Sequence, residues 1–397
     1  MEKMQPRQRM SDASLPRVLV IGGTQFIGRA TVAALIGSGR FDVTILNRGR
    51  TDSPFEGVAR HVCCDRRKKA LRAFLEAEPA WHAVIDFVAF GPDDVRRMLP
   101  LAAKLGLYVL ISTDSVYMAC DPAGWRRDAT SGRLLEQSDG QPDAARGALD
   151  EYGAAKLALE QSLAAHAELR FVCLRLPDVL GRHENTGRQE KLLKRLMGGR
   201  PIGTAAEPGG DGAFGRHTPL SVVFADDVAQ AVLEVVDAAA TAGADGLAGA
   251  RLHLCTDEAP TWVDLVAGVA EALVAQGLTV PPPAFDAGKD TRFVSVECGA
   301  LDNGAAKRLL PRWRPAPLAL RLRETVSWWV DEQRAAFEAA QETEAAEPEG
   351  SEEGSGEEGS GEEGDEEGGG AKRSRTVAPA KVDQSFRFGF GDGYHEC

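Results

Sequence analysis

Arg17-Val18-Leu19-Val20-Ile21-Gly22-Gly23-Thr24-Gln25-Phe26-Ile27-Gly28 is the stretch whose reading decides the fold. An apolar, β-branched run enters a glycine-rich turn, and an alanine-rich helical pattern follows through Ser38. Strand, turn and helix in that order open a βαβ unit of the kind that holds a dinucleotide. Gly22 permits the sharp turn out of the strand, Gly23 keeps side-chain bulk out of the path to a pyrophosphate, and Gly28 lets the helix lie close to the sheet. The helix N-terminus offers unpaired N–H groups and a positive dipole end to the phosphates. Thr24, Gln25, Phe26 and Ile27 complete the candidate cradle, with Gln25 where many such turns carry a third glycine.

Working outward, residues 41–46 (FDVTIL) read as a buried second strand ending at Asn47-Arg48-Gly49-Arg50. That strand end meets the adenosine ribose, where NAD enzymes place a carboxylate and a basic residue accommodates the 2′-phosphate of NADP. Asn47-Arg48 lacks the acid and supplies the cation, so NADP is favoured and NAD is the second option; the bland alternative makes Arg48 a solvated loop residue. Residues 59–64 (ARHVCC) read as a third strand ending at Asp65, which either accepts from the adenine amino group or caps a helix starting at Arg66. Residues 82–90 form a fourth strand, and Val88 and Ala89 at its end join the cofactor set. An amphipathic helix is expected from Pro92 to Leu105. A fifth strand from Leu107 to Ile111 ends in Ser112-Thr113-Asp114-Ser115-Val116-Tyr117. Near-continuous apolar strands separated by helices imply a parallel sheet covered on both faces, with ligands gathered at the carboxyl ends of the strands.

Residues 118–148 show no periodicity and read as a substrate lid or a partly disordered insertion. The helix that follows contains Glu151-Tyr152-Gly153-Ala154-Ala155-Lys156-Leu157-Ala158-Leu159-Glu160. Tyr152 and Lys156 are one turn apart on one face. A phenol near its ordinary pKa is a poor acid–base group at neutral pH, and a neighbouring ammonium lowers it.

Glycine turn, Ser-Thr-Asp-Ser-Val-Tyr strand end and Tyr-x-x-x-Lys helix occur in an order that resembles the extended short-chain dehydrogenase/reductase family, the NAD-dependent epimerase and dehydratase group. The resemblance covers roughly residues 16–333. It implies an α/β fold: a Rossmann-type doubly wound parallel sheet at 16–181, with a smaller C-terminal substrate part at 182–335. By the same match Thr113 orients the substrate oxygen, Tyr152 is the acid–base, and Lys156 binds the nicotinamide ribose and tunes Tyr152. Pro177, in Leu176-Pro177-Asp178-Val179-Leu180-Gly181, joins the cofactor set, and Asp114, Asp178 and Arg216 the substrate set. Asp178 lies where family members often carry Asn, and a carboxylate there is expected to repel a diphosphate. Ser221 to Ala229 resembles the family's strand-then-helix return, with Asp226 as helix cap, and Leu301 to Pro315 its C-terminal helix and Trp-x-Pro turn. Dehydratases of the family resemble Thr-Asp-Glu where this chain has Thr113-Asp114-Ser115, so a dehydratase is disfavoured. The Gly-Gly-Thr-Gln-Phe-Ile-Gly turn with its Asn-Arg-Gly strand end further resembles atypical epimerase-like proteins related to chloroplast stem-loop RNA-binding proteins, which typically lack the Tyr and Lys present here.

Two functions follow. The first is an NAD(P)-dependent oxidoreductase or epimerase acting on a hydroxyl or carbonyl carbon of a sugar or sugar-nucleotide-like small molecule. The alternative is a catalytically weak nucleotide-sensing or RNA-binding protein on the same fold. The net charge of −13 arises in residues 341–370, which hold 13 acidic residues and no Lys or Arg. The remainder is balanced, which gives nucleic acid no general electrostatic support. Residues 1–15 read as a flexible N-terminus. With Glu-Glu pairs among Gly and Ser, 341–370 reads as a disordered acidic linker. The tail 371–397, with Phe386, Phe388, Phe390 and Tyr394, docks on the chain's own surface or on a protein partner, or is an unconstrained extension. No apolar run is long enough to span a bilayer. Seven cysteines, odd in number and without a C-x-x-C pair, fit a reducing compartment and no metal framework. The expected location is cytoplasmic, with an organellar address left open by Arg7, Arg9 and Ser11.

Overall fold

The computed structural model describes residues 15–51, 55–136, 142–204, 216–240, 246–286 and 298–346, with side chains through 333. The chain divides into two units, Met1–Trp328 and Trp329–Cys397.

In the first unit seven parallel strands form one sheet. Five come from the first third of the chain: β1 (Arg17–Ile21), β2 (Asp42–Asn47), β3 (Arg60–Cys63), β4 (Ala83–Asp86) and β5 (Leu107–Thr113). β6 (Arg170–Leu176) extends it, followed by β7 (Asp178–Leu180), β8 (Ile202–Gly203) and β9 (Val222–Phe224), which stand outside it, and by β10 (Ala250–His253), its edge. The order is β10-β6-β5-β4-β1-β2-β3, so the chain reverses direction between β1 and β4. Ile21 is in register with Leu46 on one side and Asp86 on the other. The cleft at this switch point lies beyond the carboxyl ends of the strands.

Alternation along β1 divides the core. Val18 and Val20 pack with Val32 and Leu35 of α1 (Phe26–Ser38), and Leu19 and Ile21 face Leu71 and Leu75 of α2 (Lys69–Ala77). A sheet buried on both faces needs apolar residues at every position, which is why these strands read as continuous runs.

The helix expected from Pro92 to Leu105 is broken. α3 (Pro92–Arg96) stops early, and Leu99–Lys104 is a 3₁₀ turn with Leu101 outside helical geometry. Pro100 has no N–H to continue the ladder. The stretch 118–148 is tied down over its described part: Cys120 bridges Pro142, Arg127 bridges Leu134, and Leu134 bridges Leu301. Its last residues form α4 (Ala144–Leu149), capped by the Asp143 carboxylate. α5 (Glu151–Ala164) follows at once.

Beyond β6 come α6 (Arg188–Met197), α7 (Ala225–Ala240), α8 (Trp262–Ala275), β11 (Phe285–Asp286), α9 (Gly304–Leu309) and α10 (Leu318–Ala346). β7 pairs with β9 and β8 with β11, as two short parallel ladders. Asp226 was expected to cap its helix; it lies inside the first turn of α7, ion-paired with Arg182 at 2.8 Å. The second unit is described only as the remainder of α10. Its helix is described to Ala346, into the acidic stretch expected to be a linker, because Ala, Glu and Gln sustain a helix. The rest of that stretch, the 371–397 tail and residues 1–14 lie outside the described residues. Among the described residues no helix is long and apolar enough to cross a membrane.

Candidate active site

The glycine turn closes on itself at the end of β1. Gly22 has φ +92°, and a Cβ there would lie 2.7 Å from the Val88 side chain. A Cβ on Gly28 would lie 2.6 Å from the Gly22 carbonyl oxygen, so α1 is drawn against the turn. Gly23 differs from its sequence reading. Its missing Cβ points at Val32 and Val20, so it packs helix on strand instead of clearing a path for a pyrophosphate. The N-terminus of α1 has no side-chain cap and no acid in its first turn, and Phe26 takes φ +39° there. An uncapped helix end behind a narrow glycine turn, with Val88 and Ala89 alongside, fits the diphosphate of a dinucleotide.

Asn47 is held within the protein. Its Nδ2 donates to Thr24 Oγ1 at 3.2 Å, and its Oδ1 accepts from the Gly49 N–H at 2.8 Å and lies 2.9 Å from His61 Nε2. It therefore fixes the turn, and Arg48 beside it is exposed. Asp65 accepts from the Arg67 N–H at 2.9 Å. Despite some burial, that bond and the Arg67 side chain hold its carboxyl below the usual range. Since α2 begins only at Lys69, Asp65 caps the preceding turn, not the helix expected from Arg66.

Sequence reasoning passed over the support beneath β4. Asp86, fully buried at the strand's end, accepts from Arg66 at 2.6 Å, from the Tyr108 hydroxyl at 2.5 Å and from the Val88 N–H at 3.0 Å. A lone acid closing the apolar run Ala83-Val84-Ile85 was the available signal. It shapes the turn that presents Ala89.

Lys156 is 2% exposed and donates to the carbonyls of Ala89 at 2.7 Å and Ile111 at 2.8 Å. Burial lowers its ammonium to about 8. Its Nζ lies 5.8 Å from the centre of the Tyr152 ring. α5 can come this close because of Gly153, where a Cβ would fall 2.1 Å from the Ser115 carbonyl oxygen. Asp150 caps the helix by accepting from the Gly153 N–H at 3.0 Å. Thr113 is buried at the end of β5, and its hydroxyl accepts from the Ser115 N–H at 3.1 Å. Burial, then Asp114 and Asp150, push the Tyr152 phenol above its ordinary value, the opposite direction to that expected from Lys156 alone. Burial and Asp178 likewise raise Asp114 well above the carboxylate range.

Asp178, expected to repel a diphosphate, is nearly buried and ion-paired with Arg188 at 3.1 Å. The charge objection falls, because the cation arrives from the next helix. Pro177 is buried between β6 and β7. The guanidinium of Arg216 reaches His217, and its carbonyl accepts from Val263 at the start of α8. Behind the site, Glu160 accepts from Arg175 at 2.6 and 3.1 Å, Ser112 at 2.6 Å and Arg251 at 3.2 Å. Arg175 also donates to the Tyr117 hydroxyl at 2.8 Å, which lies 2.5 Å from His253 Nε2.

A turn that fits a dinucleotide and a Tyr/Lys helix packed on the end of β5 define an epimerase-like α/β protein. The chain belongs to the NAD dependent epimerase/dehydratase family, whose profile matches residues 18–246. Membership implies a nicotinamide dinucleotide as cofactor. Similar solved structures include UDP-glucose-4-epimerase from Stenotrophomonas maltophila with bound NAD and formylated UDP-arabinopyranose, at 21% identity and TM-score 0.59, covering 81% of this chain and 99% of that one. UDP-glucose 4-epimerase from Thermotoga maritima with UDP-glucose is 20% identical at TM-score 0.59, covering 80% of this chain and 99% of that one. dTDP-glucose 4,6-dehydratase from Bacillus anthracis in complex with NAD is 17% identical at TM-score 0.59, covering 80% of this chain and 98% of that one. At these identities the likeness is one of fold. No curated protein matches the sequence.

Proposed function

We propose that the protein is an NADP-preferring epimerase or reductase acting on a hydroxyl or carbonyl carbon of a sugar nucleotide or related sugar. The observation that carries this reading is the seating of α5: Gly153 lets Tyr152 and Lys156 approach the turn that holds Thr113. The cofactor, when bound, supplies hydride acceptance and return. Gly22 and the N-terminus of α1, which Gly28 draws against the turn, would hold its diphosphate. Arg48 would receive a 2′-phosphate, and Lys156 would serve the nicotinamide ribose with the N–H left after Ala89 and Ile111. Val88, Ala89 and Pro177 wall the cleft.

Tyr152 exchanges a proton with the substrate oxygen. Burial, Asp114 and Asp150 hold the phenol in its neutral form in the cofactor-free state, ready to donate to a carbonyl oxygen as that carbon receives hydride. In the oxidative direction the same phenol oxygen, as phenolate, would take the proton that the substrate hydroxyl loses as its carbon gives up hydride. Thr113 orients that oxygen, with Asp114 beside it. The pairing of Asp178 with Arg188 makes the substrate side tolerant of an anionic group, which supports a nucleotide diphosphate. Ser115 in place of the family's Glu favours epimerase or reductase over dehydratase. RNA binding is the weaker reading, since Arg66 of the 66–69 cluster is consumed by Asp86 and Lys194 of the 194–200 cluster pairs with Glu190 at 2.5 Å.

The test is calorimetric titration with NADP and NAD, followed by incubation with UDP- and dTDP-sugars and NMR of the products. Tyr152→Phe should keep the dinucleotide affinity and lose about 10²- to 10⁴-fold in turnover. A clear preference for NAD overturns the role of Arg48, and turnover unchanged in Tyr152→Phe overturns the mechanism.

A further inference from the structure

Gln25 occupies the N-cap position of α1 in extended geometry, yet its side chain makes no capping bond. It bridges two other segments. Its Nε2 lies 3.4 Å from Thr51 Oγ1 in the loop after β2, and its Oε1 accepts from Asn185 Nδ2 at 3.2 Å in the loop between β7 and α6. One carboxamide of the glycine turn therefore joins the loop after β2 to the loop between β7 and α6.

Both loops are fixed at their bases. Asn47 ties the first to Thr24 and to Gly49. In the second, Arg182 pairs with Asp226 at 2.8 Å, and His183, with φ +60°, sets its ring 4.7 Å from Trp328. Gln189 Oε1 accepts from the Gly181 N–H at 3.1 Å. The tip of that loop, Asn185, is exposed and reaches across to Gln25.

We propose that Gln25 and Asn185 form a latch over the cofactor cleft, which opens to admit the dinucleotide and closes behind it. The inference rests on the dinucleotide reading above. Exposed amide bonds of this length contribute little to stability, as a latch that opens at each exchange requires. On binding, the Gln25 amide N–H can leave Thr51 for a phosphate oxygen, a stronger charge-assisted bond, and Asn185 keeps hold of the Gln25 carbonyl. The residue that breaks the glycine pattern thus controls how long the cofactor stays.

The full chain is tested by stopped-flow fluorescence of NADPH and, without cofactor, by hydrogen exchange of the amides at 182–187. Asn185→Ala and Gln25→Ala should each raise the NADPH off-rate roughly two- to tenfold, and the double variant no further than the larger single effect. Each variant should also speed exchange of the 182–187 amides. Off-rates unchanged in both single variants, or effects that add in the double variant, overturn the latch. If the wild-type chain binds no dinucleotide, the cofactor reading itself fails; the exchange measurement still decides whether Gln25 holds Asn185.

Discussion

Gly153 shows how a single residue sets the site. Tyr-x-x-x-Lys by itself places two side chains on one helix face and says nothing of what they meet. The absent Cβ, with the Ser115 carbonyl oxygen 2.1 Å from where it would stand, is what seats the helix. Gly153→Ala should push α5 away from the strand end, with a stability loss of about 1–3 kcal/mol in urea unfolding. Dinucleotide affinity should drop with it, because Lys156 leaves Ala89 and Ile111. Asp178 carries the opposite lesson. Its residue type suggested repulsion, but its charge is met by Arg188, a partner that sequence order does not reveal.

Among the elements, α5 is the one that both faces the site and anchors to the sheet. Glu160, two turns beyond Tyr152, is fully buried and takes donors from β5, β6 and β10. Removing Arg175 breaks the fully buried ion pair and leaves Glu160 with the longer one to the partly exposed Arg251, at 3.2 Å. Arg175→Met should therefore cost about 3–5 kcal/mol by denaturant unfolding, and Glu160→Gln in the same chain should recover part of it. A recovery of nothing would mean that Arg175 acts through Tyr117 and not through Glu160. The end of α1 at Ser38 and the start of β5 at Leu107 fell where local pattern put them. The fourth strand, expected over 82–90, instead stops at Asp86, whose carboxylate takes the Val88 N–H and turns the chain, and α2 starts at Lys69 and not at Arg66. The failure at Leu99–Lys104 came from reading apolar spacing across Pro100.

On the scale of the whole first unit, the described part of the stretch 118–148 is stitched to residues 301–306, more than 150 positions along the chain. Glu136 is buried and accepts the N–H groups of Ala305 and of Ala306, the latter at 2.7 Å, so it closes the N-terminus of α9. Burial raises its carboxyl from 4.5 to about 7. Folding therefore favours the protonated form. That contribution is complete below pH 4.5 and is lost as pH rises through about 7. Unfolding free energy measured across this window should carry a downward slope with rising pH that Glu136→Gln removes. Equal slopes in both proteins would show that the carboxyl titrates normally.

The sequence by itself determined the parallel sheet, the glycine turn and the Tyr152/Lys156 helix, because hydrophobic period, turn chemistry and helical spacing are local properties of the chain. Only the tertiary structure decided the roles that depend on distant partners. Asp86 with Arg66, Asp178 with Arg188 and Gln25 with Asn185 each join residues ten or more positions apart. Their meaning comes from burial and pairing, which fix charge and orientation and leave no periodic trace in the sequence.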